Sequence, residues 1–208
     1  MNFIFMLLGL TILTFIILLV IDYRRAIARK YFTKLAKKLN ISTHTPKSFS
    51  SEFPEIKGFY KGYMVRIFMY YPKESTKKFK PMKVRTAIEI KIDNPKKYIL
   101  SVYEEGPISI LGKYLGMQDV VIGHPKFDKE YIVKTNNEYI TKQILTEQIC
   151  NELVYMANRR FGFEFQFDIE NIYYEEPILM INEARTLWIE RVLNVLVEVY
   201  DEFNKHTK

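Results

Sequence analysis

His124 has two carboxylates close to it in the chain, Asp119 and Asp128. An imidazole can act as general base near neutral pH, and a carboxylate can orient it. Completed by a nucleophile such as Ser101 or Ser109, this set would make a hydrolase. The same residues also fit a polar turn. Pro125 follows His124, and Asp128 can cap a local turn, so Gly123 to Asp128 reads as a compact, turn-rich loop.

The other reactive groups are dispersed. Cys150 would need a neighbouring base to be a nucleophile, and it falls inside an apolar helical stripe, where it packs as core. His44, His124, His206 and Cys150 lie too far apart in the chain for a zinc set. Glu104-Glu105 and Glu175-Glu176 read as solvated turn flanks. No glycine-rich phosphate loop and no nucleophile elbow is present. No catalytic residue, metal or cofactor is therefore assigned. Phe161, Phe163, Phe165 and Phe167 alternate with Gly162, Glu164 and Gln166, which gives a strand one aromatic face. That face belongs in a core; exposed, it would form an aromatic groove for a ligand or partner.

The elements that must position these groups are mainly strands. Ile56–Phe59 and Tyr63–Tyr71 flank Lys61-Gly62, a hairpin signal. Val84–Ile92 alternates cleanly, with Arg85, Glu89 and Lys91 on its polar face, and Tyr98–Tyr103 follows the turn at Asp93-Asn94-Pro95. Short connections make these four antiparallel. Asp119–Ile122 reads as an edge strand and Tyr131–Lys134 as another. Thr141–Leu145 and Glu147–Asn158 read as helices, the second capped by Thr146. Ile172–Tyr174 pairs with or continues the aromatic strand. A long helix runs from about Glu183 to Phe203, burying Leu187, Trp188, Val192, Val195, Leu196, Val199 and Phe203. The fold class is α+β: an N-terminal transmembrane helix, then an antiparallel sheet packed against helices.

Phe3 to Ile21 contains no charged residue. As a helix this run spans roughly 28 Å, the thickness of bilayer hydrocarbon. A cleaved signal peptide would want a basic start and a small-residue site; Asp22, Tyr23, Arg24 and Arg25 follow instead. An uncleaved anchor is the better reading. Arg24, Arg25, Arg29, Lys30, Lys34, Lys37 and Lys38 come next, which places that flank in the cytoplasm and the N-terminus outside. These seven account for the formal charge of +7: of 31 Lys and Arg they leave 24, against 24 Asp and Glu. A near-neutral fold argues against nucleic acid. The basic segment is suited to anionic lipid headgroups. The expected organisation is an anchor at 1–21, a basic juxtamembrane helix at 22–40, a Ser/Thr/Pro-rich linker at 41–54 and one soluble domain at 55–208.

The stretch Val120-Val121-Ile122-Gly123-His124-Pro125-Lys126-Phe127-Asp128-Lys129-Glu130-Tyr131-Ile132-Val133-Lys134-Thr135-Asn136 resembles a pattern, I-x-G-D-P-x-F-D-x-x-F-x-V-x-T-x-D. That pattern belongs to a group of uncharacterised bacterial membrane-anchored proteins. His124 stands where the group has an acidic residue. The resemblance implies a cytoplasmic α+β domain tethered to the bacterial plasma membrane by one span, and it implies no chemistry. The expected function is a membrane-tethered interaction or scaffold module without catalysis, with an unidentified protein partner or a homo-oligomer. A lipid- or small-ligand-sensing domain is the alternative, and the hydrolase built on His124 and Asp128 is a third.

Overall fold

A computed structural model describes residues 2–44, 53–71, 84–104, 118–157, 164–177 and 179–207, with side chains described from Phe5 onward. Ser109, Glu105, Phe161 and Phe163 lie outside the described residues, as does 45–52 of the expected linker.

The expected anchor and the basic segment are one helix, α1 (Asn2–Leu39). From Phe5 to Ile21 its large apolar side chains are exposed, and Thr11 and Thr14 return their hydroxyls to Leu8 and Leu10 carbonyls. From Ala28 onward one face turns inward, with Ala28, Phe32, Leu35 and Ala36 all but inaccessible. Helix α1 ends at Asn40, whose positive φ of 56° directs the Ile41 N–H back to the Ala36 carbonyl (2.9 Å). This is the left-handed cap that asparagine tolerates.

The start of the expected linker is instead part of the sheet. Ile41 is buried, and β1 (Thr43–His44) pairs with β2 (Glu55–Tyr60). Strand β2 turns into β3 (Tyr63–Tyr70) through Lys61 and Gly62, both at positive φ, the geometry that favours a two-residue hairpin. The remaining strands are β4 (Arg85–Lys91), β5 (Leu100–Glu104), β6 (Gln118–Asp119), β7 (Tyr131–Thr135), β8 (Glu164–Phe167) and β9 (Asn171–Glu176). All pairings are antiparallel, in the order β1-β2-β3-β4-β9-β8-β5-β7-β6. Strands β4 and β5 are consecutive in the chain but not neighbours, because the late hairpin β8–β9 wedges between them. Asn94 locks the junction: its side chain bonds both backbone groups of Tyr98 and the Asp168 carbonyl.

The register gives the sheet two different faces. One row runs Ile56, Ile67, Ile88, Tyr174, Phe165, Val102, Val133. One residue along, the row reads Lys57, Arg66, Glu89, Tyr173, Gln166, Ser101, Lys134, Asp119. Successive side chains point to opposite faces, so this alternation fixes the register. Helices complete the α+β layers: α2 (Pro125–Glu130), α3 (Glu138–Ile144), α4 (Glu147–Ala157) and α5 (Glu183–Thr207). Helix α5 buries Trp188, Ile189, Val192, Val195, Leu196, Val199 and Phe203 in the same core as the apolar row. Leu187, expected in that stripe, is exposed.

Candidate functional site

The structure assigns His124 and Asp128 to a helix start. The expected loop at Gly123–Asp128 is the entry to α2, with Pro125 in its first turn. His124 Nδ1 accepts the Phe127 N–H (3.1 Å), and its Nε2 lies 3.2 Å from Asn151 Oδ1. With Nδ1 accepting, the proton sits on Nε2 and is donated to Asn151. The Asp128 carboxylate accepts the N–H groups of Ile122 (2.9 Å) and Gly123 (2.8 Å). Asp119 is exposed and pairs with Lys134 (3.4 Å). Ser101 is buried on β5, across from Lys134 and Gln166. His124 Nδ1 and the Asp128 carboxylate are thus engaged in backbone capping and Asp119 in an ion pair, while the buried Ser101 Oγ makes no hydrogen bond among the described residues.

The remaining expected residues are dispersed through the fold. Phe165 and Phe167 are fully buried, so those two line no groove; Phe167 packs on Phe203 (4.7 Å) and Tyr98 (5.2 Å). Burial pushes the Cys150 thiol up to about 12, and its Sγ donates to the Leu145 carbonyl. Glu175 and Glu176 point to opposite faces. Glu176 is buried and accepts from Trp188 Nε1 (3.2 Å). Glu175 meets Tyr70, Tyr173 and Arg85 on the polar face, where three donors satisfy it. Burial holds the Glu164 carboxyl above the usual range. Among the described residues no three His, Cys, Asp or Glu side chains come together as metal ligands.

The seven basic residues divide by height along α1. At ~1.5 Å per residue, Arg24 and Arg25 lie ~5–6 Å past Ile21, whereas Lys34 and Lys38 lie ~20–26 Å past it. The two distal lysines pair with α5, Lys34 with Glu183 and Lys38 with Glu190 (2.6 Å each). Arg29 pairs with Asp22 (3.7 Å). Arg24, Lys30 and Lys37 are exposed. Arg25 is half-buried, its guanidinium 5.6 Å from the Phe53 ring centre.

That last contact marks a cleft of about 350 Å³ where the apolar half of α1 ends. Ile21, Arg24 and Arg25 form one side; Phe53, Tyr71, Val84, Pro177 and Leu179 form the other. Phe53 and Tyr71 contact each other with ring centres 5.2 Å apart. Apolar walls with two guanidinium groups suit an amphiphile whose polar end is anionic. The arginines are legible in the sequence but the cleft is not, since its other side comes from positions scattered between 53 and 179.

The described residues define an α+β domain whose first helix is long and apolar enough to cross a membrane. No protein-family model and no curated protein matches the chain. Among solved structures, the crystal structure of the mycobacterial trehalose monomycolate transport factor A, TtfA, is similar. The TM-score is 0.51 at 11% identity, over 84% of this chain and 93% of that one. At that identity the likeness is one of fold.

Proposed function

We propose that the chain is a non-catalytic, single-pass membrane module that holds a cytoplasmic α+β domain at the bilayer surface for a membrane-resident protein partner. One observation carries this reading: α1 is continuous from its exposed apolar half into the domain core. A flexible tether would only localise the domain, whereas a shared helix also orients it. Continuity across Asp22–Arg25 also speaks for an anchor rather than a removable leader, and the basic flank favours a cytoplasmic domain. The fold neighbour is titled a transport factor, which fits a non-catalytic role.

The test is crosslinking of the full-length protein in its native cells, followed by purification in mild detergent. Two controls run alongside. One replaces Phe3–Ile21 with an unrelated span. The other inserts a short Gly-Ser segment after Asp22. A stoichiometric membrane partner is expected with the native chain and the replaced span, and lost with the insertion. Absence of any protein partner from the native chain overturns the reading.

A further inference from the structure

We infer that the cleft between α1 and the sheet is a binding site for one anionic phospholipid drawn from the surrounding bilayer, its phosphate held by Arg24 and Arg25. The inference rests on the anchor reading above. Ile21 is both the last residue of the uncharged run and a wall of the cleft. When the run spans the hydrocarbon, the cleft therefore lies at the level where acyl chains end and phosphates begin. Tyr23, exposed at the same height of α1, is a residue type that settles at this interface. A phospholipid seated here leaves its acyl chains along the exposed face of α1.

The wall chemistry matches such a ligand. Phe53, Tyr71, Val84 and Leu179 offer apolar surface for the glycerol end of the lipid. Arg24 is exposed, and Arg25 is steadied over the Phe53 ring. Guanidinium forks bind phosphate oxygens in a bidentate manner and keep their charge at any cellular pH. The distal lysines could not substitute, because at ~1.5 Å per residue Lys34 and Lys38 lie ~20–26 Å past Ile21. The volume lies at the lower end of the ~300–1,000 Å³ range of ligand sites, enough for a headgroup but not for a whole lipid.

The experiment is native mass spectrometry of the full-length protein, released from mixed micelles containing phosphatidylglycerol or phosphatidylcholine. One phosphatidylglycerol is expected to stay bound, at least ten-fold more tightly than phosphatidylcholine. Arg24→Gln with Arg25→Gln should abolish that preference. Lys30→Gln with Lys37→Gln removes the same charge from α1 outside the cleft lining and should leave it intact. Leu179→Trp, which fills the cleft and keeps both arginines, should also lose it. Circular dichroism melts establish that each variant is folded. Equal loss in the two charge-removal variants would mean diffuse attraction to the helix and would overturn the site. So would unchanged binding in Leu179→Trp, or glycerol phosphate competing as well as the lipid, which would indicate a free-anion site. Carbonate extraction of membranes separates failure of the site from failure of the anchor: a chain released by carbonate refutes the anchoring itself.

Discussion

At the residue scale, the pattern Gly123-His124-Pro125-x-Phe127-Asp128 is folding information. His124 occupies the N-cap of α2, Asp128 ties down the two preceding N–H groups, and Phe127 plugs the core. An acidic residue at position 124 would also accept the Phe127 N–H. His124→Ala should therefore cost about 1 kcal/mol, and His124→Asn should recover most of it; denaturant melts of the two variants check this. Glu164 supplies a pH test. Its carboxyl titrates above the usual range because burial disfavours the anion. The folded protein thus holds this proton more tightly than the unfolded chain, and stability falls as pH rises through the interval between the two values. Glu164→Gln should raise the melting temperature at pH 7, with a gain that shrinks toward pH 4. A gain that grew on acidification would reverse the assignment. Residue types alone could nominate His124 and Asp128, but not reveal that backbone N–H groups already held them.

At the element scale, alternation made most strands legible. Arg85, Glu89 and Lys91 opposite Thr86, Ile88 and Ile90 announce a two-faced strand, and the register carries the same alternation across the sheet. Strand order was not legible. Placing β8–β9 between β4 and β5 depends on contacts such as Asn94 with the Asp168 carbonyl, 74 residues apart. The helix α2 was missed because Pro125 reads equally as a turn residue and as a first-turn helix residue. The edge strand β1 was missed because two residues carry no periodicity. Hydrogen bonds between Ser42 and Lys57 hold that edge, and Gly58 lets it close, since an added Cβ would stand 2.7 Å from Ile41 Cγ2. Gly58→Ala should destabilise the domain by about 1–3 kcal/mol through this overlap. Gly58→Ala with Ile41→Ala should regain part of the loss if the overlap is its cause, which paired thermal melts would reveal.

At the scale of the whole molecule, the decisive feature is that one helix has an exposed apolar half, long enough to cross a membrane, and a half that enters the domain core. Leu13 is about half exposed on the apolar half of α1, while Phe32 is fully buried in the domain core. The cleft at Arg24 and Arg25 exists only because these halves are joined without a break, so neither its shape nor its height could be read from either half alone. The same continuity makes orientation depend on packing. Phe32→Ala should cost about 3–5 kcal/mol, the usual range for emptying a buried phenylalanine site. Leu13→Ala, on the exposed apolar half of the helix and away from the domain core, should leave the domain melt unchanged. Spin labels at exposed positions Leu10 and Tyr139 would report the geometry by pulsed electron resonance in lipid nanodiscs. The native protein should give one narrow distance distribution, and Leu13→Ala the same one. Phe32→Ala should broaden it at temperatures where the sheet is still folded, because the helix loses its largest fully buried contact before the strands lose theirs. A broad distribution in the native chain would mean that the domain hangs from the membrane rather than being held to it, and the orienting role of α1 would fall with that result.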